Sequence, residues 1–296
     1  MRKHLAIVLL LSSFASVFLS CHNGDPDYPR HDEIKYEYKI DLDGYVLSKA
    51  YGYEVNEWSV PSQWNDNLNG VKNVVEIGSN SFVSWRHLRE VSIPSSVTCI
   101  REAAFEDLPK LKKVRYSGGC EIDTIESYAF RYCSAIETIE VPCKLKVIGK
   151  QTYQYCDGAT SVVFMKNEAN ETGLEVINEA AFYGCSKLSS VTIPKSVAKI
   201  DRGVFYGCSS LKSVDFEDGS VLSIIQDNAF GKCASLTSLV IPRSVRFIGK
   251  KVLSGQKKVT VQYKGSQAEW DSIVKDEEWK GSGDSEVEVE IVFAST

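Results

Sequence analysis

The sequence predicts a solenoid of the α/β or mainly β class, in which parallel strands stack from turn to turn and both ends are capped. Isoleucine recurs eight times at intervals of 23 to 29 residues, as Ile77, Ile100, Ile125, Ile148, Ile177, Ile200, Ile225 and Ile248. Five residues after each Ile comes an aromatic residue or Leu, as Phe82, Phe105, Phe130, Tyr153, Phe182, Phe205, Phe230 and Leu253. A register that holds over eight such units is typical of repeats that pack only on their neighbours.

A strand is predicted in the second part of each unit, which follows the pattern L-x-x-V-x-I. Leu188, Val191 and Ile193 show it in the fifth unit, where Val and Ile two positions apart share one buried face. Strands of successive turns would lie about 4.8 Å apart. The segment around the aromatic residue is expected to close each turn as a short helical or 3₁₀ piece.

Proline divides the units into pairs. Dipeptides that end in Pro close alternate strands, namely Ile93-Pro94, Val141-Pro142, Ile193-Pro194 and Ile241-Pro242. Because proline lacks an N–H group, it fits just beyond the end of a strand. The repeating unit is therefore a pair of turns.

The pattern resembles the BspA-like leucine-rich repeats of bacterial surface proteins. Residues 177–186 and 188–194 carry the resemblance most closely, and it extends over residues 77–263. It implies a right-handed leucine-rich-repeat solenoid of eight turns, and it implies adhesion at the cell surface to host components or other bacteria. The fourth turn departs from the pattern, with Tyr153 in place of Phe and Ala159 in place of Leu.

Both ends are expected to carry caps, because an open turn would expose its core. Residues 34–76 are predicted to form an N-terminal β cap, and residues 264–296 a helix followed by a strand. Ser266 and Glu269 are predicted to form a capping box for a helix that reaches Lys275. Tryptophans in these flanks are expected to close the core: Trp58, Trp64, Trp270 and Trp279.

A targeting segment precedes the fold. Residues 1–20 have a basic start and an apolar stretch shorter than the roughly 20 residues of a spanning helix, which indicates a lipoprotein signal peptide. Ser20 and Cys21 resemble a bacterial lipobox, in which the Cys is lipidated, although ordinary cleavage near a chance Cys is the alternative. The polar residues 21–33 are interpreted as a flexible tether. We therefore expect a lipid-anchored outer-membrane protein that faces the cell exterior.

Five cysteines occupy one position in five consecutive turns: Cys133, Cys156, Cys185, Cys208 and Cys233. Trp85 and Leu108 take this position earlier, so we interpret it as a buried apolar site in which Cys acts as a small hydrophobic residue. Pairing of neighbouring thiols is sterically conceivable, but five in one column cannot all pair. The redox state of three further cysteines stays open: Cys99, Cys120 and Cys143. Without a C-x-x-C motif or a nearby His, neither a metal nor another cofactor is expected.

Catalysis is not expected. His22 and His31 fall in the tether, which leaves His87 for the folded part, and no Ser–His or Cys–His pair has a supporting spacing. Phosphate-binding glycine loops and H-E-x-x-H are absent. A glycosidase that uses only two carboxylates has no sequence motif, so this one class of enzyme stays open. The net charge of −5 becomes more negative by two when the signal peptide is removed, which argues against nucleic acid as a partner.

The exposed positions of the L-x-x-V-x-I strands form the predicted binding face. Charge is dense in the first three turns, and the predicted ligand-binding residues are Arg89, Glu90, Lys112, Lys113, Arg115, Glu137 and Glu140. Small hydroxylated residues dominate turns five to seven. Any solvated strand face carries such residues, and the loops at residues 117–124 and 165–176 are alternative sites, since loops often carry function.

Two classes of function follow. One is an adhesion module that binds a protein or glycan on host or neighbouring cells, and the other is a glycan-capturing lipoprotein of a nutrient-uptake system. Glycan capture would normally use aromatic platforms for the sugar rings, and the predicted face has none, which favours the adhesion module. Its charged block is expected to contact an acidic patch on a protein or an anionic glycan.

Overall fold

The computed structural model describes residues 34–50, 55–83, 85–117 and 121–294. The predicted signal peptide, the tether and Cys21 lie outside the described residues, as does Cys120. The described chain is mainly β and coils repeatedly through two sides made of strands and one side made of hydrogen-bonded turns. The apolar core fills the space between these three sides.

One sheet receives a strand of two residues from each of repeats two to eight and from the C-terminal cap, and we call it the short-strand face. Its two-residue strands are β7 (Cys99–Ile100), β9 (Thr124–Ile125), β11 (Val147–Ile148), β13 (Val176–Ile177), β15 (Lys199–Ile200), β17 (Ile224–Ile225), β19 (Phe247–Ile248) and β21 (Val274–Lys275). Towards the N-terminus the sheet continues through β5 (Val71–Ile77), β2 (Gly44–Ala50) and β1 (Ile34–Lys39). β1 is antiparallel to β2, and β4 (Gln63–Asn65) is antiparallel to β5.

The second sheet wall carries the predicted L-x-x-V-x-I strands, and we call it the long-strand face. Its strands are β3 (Glu57–Ser59), β6 (Glu90–Ile93), β8 (Lys113–Tyr116), β10 (Thr138–Val141), β12 (Ser161–Phe164), β14 (Ser190–Ile193), β16 (Ser213–Phe216), β18 (Ser238–Ile241), β20 (Lys258–Tyr263) and β22 (Glu288–Phe293). All of their pairings are parallel, in the groups β3-β6-β8, β10-β12 and β14-β16-β18-β20-β22. The predicted stacking of parallel strands is confirmed.

The isoleucine ladder lies on the inner side of the short-strand face. Ile100 pairs with Ile77 and Ile125, and the register continues unchanged to the last ladder residue. All eight ladder side chains are at most 2% exposed. The caps extend the ladder at both ends, because Leu47 in β2 pairs with Ile77 and Lys275 in β21 pairs with the last isoleucine.

The third side of the coil consists of turns, and the short helices expected there do not form. In the second repeat, Ala103 (φ 51°) and Asp107 (φ 56°) have left-handed backbone on either side of Phe105. The N–H of Phe105 donates to the carbonyl of Ala129 in the next turn at 2.8 Å, whereas the N–H of Glu106 donates back to Ala103 at 3.2 Å. In turns two to eight, two left-handed residues per turn interrupt right-handed helix geometry and let alternate amides bond to the neighbouring turn.

The aromatic residues of the repeats stack into one column in the core. Seven rings, from Phe82 to Phe230, have neighbouring centroids 4.5 to 5.7 Å apart and planes within 21° of parallel. Tyr153 takes its place in this column, although its hydroxyl is buried and has no hydrogen-bond partner among the described residues. Each ring is covered by the rings of the adjacent turns, so the core is continuous along the coil.

The cysteines of the repeats form a second buried column, and no described cysteine is in a disulfide. The thiols of Cys133, Cys156, Cys185, Cys208 and Cys233 are fully buried, and each donates to the carbonyl of the core aromatic residue one turn earlier at 3.1 to 3.4 Å. Gln256 holds this position in the eighth turn, and its amide donates to the Phe230 carbonyl at 2.6 Å. The predicted burial is confirmed, but the position supplies hydrogen-bond donors and is not merely apolar.

Tryptophans close both ends of the core. Trp58 and Trp85 pack on each other and on Phe82 with centroids 5.2 to 5.6 Å apart. At the other end Trp270 packs on Trp279 at 5.9 Å. Trp64 is only half-buried and stacks on Tyr36 of the N-terminal hairpin at 4.3 Å.

The C-terminal helix is shorter than predicted. Ser266 and Glu269 form the predicted capping box, but the helix α1 (Gln267–Asp271) ends four residues before Lys275. Val274 and Lys275 form β21 instead, because they pair with β19 and add a strand to the short-strand face. The caps also contain two 3₁₀ turns, Ile40–Leu42 and Gly283–Ser285.

Candidate binding face

The predicted binding residues lie at the N-terminal end of the long-strand face. Inward residues of its strands are mostly buried Val, Ile or Leu, and the residues between them face solvent, because side chains alternate along a strand. The seven predicted residues stand on β6, β8 and β10 or directly before them: Arg89, Glu90, Lys112, Lys113, Arg115, Glu137 and Glu140. All seven are exposed or half-buried. The structure therefore brings them onto three adjacent turns.

Ion pairs between adjacent turns organise this charged end. The guanidinium of Arg115 binds both carboxylate oxygens of Glu90 one turn earlier, with Nη2 3.2 Å from Oε2. Lys112 Nζ lies 3.4 Å from Oε1 of Glu137 one turn later. Arg89 and Lys113 form no ion pair with a described residue. Half of the predicted positive charge is thus neutralised within the face, and the other half is available to a partner.

The Arg115–Glu90 pair is reflected in the acidity of its groups. The hydrogen bond from Arg115 holds the pKa of the Glu90 carboxyl below its ordinary value, and the same bond raises the pKa of the guanidinium. Both groups therefore stay charged throughout the neutral range. Because the pair fixes two long side chains, less conformational entropy remains to be lost when a partner binds.

Neutral hydroxyl groups replace charge further along the face. The outward row of the later strands contains Thr138, Ser161, Ser190, Ser213, Ser238 and Thr260. Thr138 and Ser161 are hydrogen-bonded across the strands at 3.2 Å, and Gln262 donates to Ser238 at 3.3 Å. The face consequently has a charged N-terminal end and a hydroxylated stretch over turns five to seven, as the sequence predicted, and it is charged again at β20 and β22, where Lys258 pairs with Glu288 and Glu290.

A row of aromatic side chains on the turn side was not predicted. We call it the tyrosine ladder, and it consists of Tyr132, Tyr155, Tyr183 and Tyr206. The first and the last pairs are stacked with centroids 5.3 and 5.0 Å apart, and the middle contact is edge-on at 5.4 Å. Cations lie at both ends, with Arg131 5.3 Å from the first ring and Lys232 5.6 Å from the last. The ladder is a rigid, partly exposed aromatic surface.

Alignment of the repeats by position does not reveal the ladder, because its tyrosines do not occupy the same position in every repeat. The first two stand two residues after the core aromatic residue, and the last two stand one residue after it. Glycines make room for the rings, since a Cβ on Gly184 would lie 2.6 Å from the ring of Tyr155 and one on Gly231 2.8 Å from that of Tyr206. Spacings of 23, 28 and 23 residues between the tyrosines, close to the repeat length, are the signal that could have revealed the ladder.

An open cleft of about 710 Å³ on the short-strand face is lined by charged residues that include Glu102, Asp123, Glu126 and Lys146. The carboxylate of Glu126 accepts from Arg101 Nη1 and from the backbone N–H of Glu102, both at 2.9 Å. Its hydrogen-bonding capacity is therefore used to join neighbouring turns.

Clusters of metal-ligating side chains and membrane-spanning helices are absent from the described ranges. Among these residues, no group of three His, Cys, Asp or Glu side chains could hold a metal ion. His87 is the one histidine in this part of the chain, and it is half-buried before β6. No helix in the same ranges is long and apolar enough to cross a membrane.

Comparison with known proteins points to one family. The family described as BspA type leucine rich repeat region matches the chain in six copies, over residues 65–170 and 165–272. Together these ranges cover more than half of the 296 residues. No curated protein matches the chain.

Solved structures of bacterial leucine-rich repeat proteins share the fold. The pneumococcal vaccine antigen PcpA is similar with a TM-score of 0.58 and 18% identity, over 90% of this chain and 88% of its own. A leucine rich cell surface protein from Faecalibacterium prausnitzii has a TM-score of 0.50 and 18% identity, over 86% and 98%. A leucine-rich repeat protein from T. pallidum has a TM-score of 0.50 and 24% identity, over 78% and 84%. At these identities the likeness concerns the fold alone.

Proposed function

We propose that this chain, which belongs to the BspA-type leucine-rich repeat family, is a lipid-anchored surface protein that binds a partner protein through its long-strand face and has no catalytic activity. Leucine-rich repeats are generally non-catalytic binding modules. The proposal rests mainly on the charge pattern of three adjacent turns. Arg115 and Lys112 form ion pairs within the face, whereas Arg89 and Lys113 can bind a partner. Such a pattern selects partners by charge more than by buried apolar area.

The proposed partner presents an acidic patch. Arg89 and Lys113 stand on neighbouring turns, so a carboxylate between them would meet two cations. The ion pairs beside them hold the surrounding side chains in place, which lowers the entropic cost of association. Since interactions between exposed charges are screened beyond about 10 Å at 0.1 M salt, the association should weaken as salt is added.

Reversing the charge of Lys113 is expected to slow association several-fold at low salt, because the new carboxylate would repel the acidic partner. Lys113→Glu and the parent chain would be compared for binding rate on a panel of immobilised extracellular-matrix proteins, at low and at high salt. Lys212→Glu is the matched control, since Lys212 is exposed on the same face four turns away and forms no ion pair with a described residue. An equal loss in both variants, or no loss in either, would move the site away from the charged end.

Glycan capture is the second candidate, and the tyrosine ladder favours it. The aromatic groups missing from the long-strand face are present on the turn side, beside Arg131 and Lys232. However, its rings mostly cover one another, so they present edges and hydroxyls to a ligand. A glycan array probed with the parent chain and with Tyr132→Ser distinguishes the candidates, because only glycan capture through the ladder predicts array signals that the variant loses.

The surface location is proposed from the sequence around Cys21. Lipid on Cys21 would hold the solenoid at the outer membrane through the polar residues that precede β1.

Replacing Cys21 with Ala is expected to release the protein from the membrane fraction, because the variant has no thiol at the position where lipid would be attached. Cells that express the parent chain or Cys21→Ala would be fractionated and the chain located by immunoblot. Cys143→Ala serves as a control, since Cys143 lies in the folded part and should have no effect on anchoring. A Cys21→Ala chain that remains as membrane-bound as the parent would place the anchor elsewhere.

A further inference from the structure

Two hairpin tips in the N-terminal cap expose aliphatic side chains that the core does not use. Leu68 is 89% exposed and Ile40 is 84% exposed, the two highest values among the large hydrophobic side chains of the described residues. Val71 and Leu42 beside them are 60% and 40% exposed. Single exposed aliphatic residues are ordinary on protein surfaces. Four of them concentrated in two tips require a specific explanation.

The fold holds these two tips side by side. β2 and β5 are parallel neighbours in one sheet, and a hairpin turn directly precedes each of them, so both turns emerge at the same edge. The hydroxyl of Tyr45 donates to the carbonyl of Gly70 at 3.1 Å and accepts from the N–H of Asp66 at 3.2 Å. Lys72 Nζ lies 2.9 Å from Asp43. These contacts join the two turns, so the exposed aliphatic residues form one rigid edge.

We propose that this edge, formed by Ile40, Leu42, Leu68 and Val71, inserts into the headgroup layer of the bilayer that holds the lipid on Cys21. The inference rests on the proposed lipid anchor for the choice of membrane. Transfer of exposed aliphatic side chains from water to the interfacial region of a bilayer is favourable. A lipid anchor and an inserted edge would act together, as membrane attachment generally needs more than one signal.

The segment between Cys21 and β1 is long enough for the two tips to touch the membrane that holds the lipid. Residues 21–33 lead directly into β1 and span at most about 45 Å when extended. β1 has six residues, so its far end, where the first tip begins, lies about 20 Å from Ile34. The tether is therefore long enough to let the tips touch the membrane while Cys21 is anchored. Anchoring also raises the effective concentration of the tips at the surface, so a weak insertion suffices.

A bilayer fits the edge better than a protein does. The tips project as turns and do not form a groove, so a second copy of the chain would bury little area against them. The charges near the tips nearly balance, with Lys39 and Lys72 against three aspartates, so electrostatic attraction to anionic lipid is not the driving force. Asp41 stands between two of the aliphatic residues and would limit insertion to the headgroup layer.

The test uses the chain from His22 onward, which lacks Cys21 and keeps every residue of the described core. Its sedimentation with phosphatidylcholine vesicles would be measured for the parent and for the double variant Ile40→Ser/Leu68→Ser. We expect the parent to bind weakly and the double variant to lose binding on the order of ten-fold, because two exposed aliphatic side chains are removed. Val221→Ser/Val274→Ser is the matched control, since these valines are 53% and 64% exposed elsewhere on the molecule and should not contribute.

Each outcome decides the proposal independently of the lipid anchor, since the chain under test carries no lipid. Absence of parent binding at high lipid concentration, or an equal loss in the valine control, would overturn it. Binding only to vesicles that contain phosphatidylglycerol would assign the interaction to charge. A parent that is dimeric in analytical ultracentrifugation, with a monomeric Ile40→Ser/Leu68→Ser variant, would assign the edge to a second copy. Thermal unfolding of all variants should match the parent, as the replaced side chains are exposed.

Discussion

Replacing Cys208 with Asp is expected to lower the free energy of unfolding by about 3–5 kcal/mol, because an unpaired charge or an unsatisfied carboxyl would be buried. The Cys208 thiol is fully buried and donates to the carbonyl of Phe182 at 3.2 Å. A carboxylate at this position would face that carbonyl oxygen without a proton to share. The thiols of Cys185 and Cys233 on the adjacent turns offer no positive charge in compensation.

Urea unfolding under reducing conditions would measure this loss. Cys208→Ser is the control, because a hydroxyl keeps the donor and nearly the same size, and it should cost only about 1 kcal/mol. Solenoids unfold partly turn by turn, so fluorescence and circular dichroism should both be followed. Similar midpoints for the Asp and Ser variants would contradict the buried donor column.

Raising the pH above 9 is expected to destabilise the protein steeply. Burial raises the pKa of Cys133, Cys185 and Cys233 to about 12, and it raises the pKa of Cys156 and Cys208 well above the ordinary thiol value. In the unfolded chain the thiols ionise near their ordinary pKa, so the stability that they contribute is complete below pH 9 and is lost as pH rises towards 12. Each thiol removes about 1.4 kcal/mol per pH unit in this window.

Comparison of variants isolates the thiols from lysine and tyrosine, which also titrate in this range. The unfolding free energy of Cys208→Ser should fall less steeply than that of the parent, by about 1.4 kcal/mol per pH unit between pH 10 and pH 11, because one thiol is missing. Parallel curves for the two chains would mean that the Cys208 thiol ionises equally in the folded and the unfolded state. This result would contradict the raised pKa that burial gives this thiol.

The interior of the solenoid could be predicted from the sequence because each inner position admits few residue types. The isoleucine ladder, the aromatic column and the buried cysteines all repeat with the turn. The left-handed residues of the turns could not be predicted in this way, since Ala103, Tyr128 and Lys232 occupy them as well as glycine and leave no compositional signal. The S–H donors were missed for a related reason, because burial alone does not distinguish a small apolar side chain from a donor.

For the surface of the molecule, the sequence predicted which residues are exposed but not how they contact one another. Arg115 and Glu90 were both assigned to the binding face, but their bond joins residues 25 positions apart and is set by the stacking of the turns. The tyrosine ladder shifts between repeat positions, so a comparison of the repeats position by position misses it, and only the near-repeat spacing of its tyrosines signals it. The end of α1 was misplaced because Val274 pairs with β19, and tertiary pairing outweighs the local helical pattern.

The alternation of turns also has a consequence for how such genes change in length. Successive ladder isoleucines are 23 residues apart within a proline-containing pair and 25 or 29 apart between pairs. In the core, turns three to seven offer their neighbours the same surfaces, with ring against ring and thiol against carbonyl, whereas proline follows the strand only in alternate turns. Duplication of a two-turn segment would therefore insert without unmatched contacts, whereas duplication of one turn would place two turns of the same kind together. Descendants of this gene should differ in length by even numbers of turns.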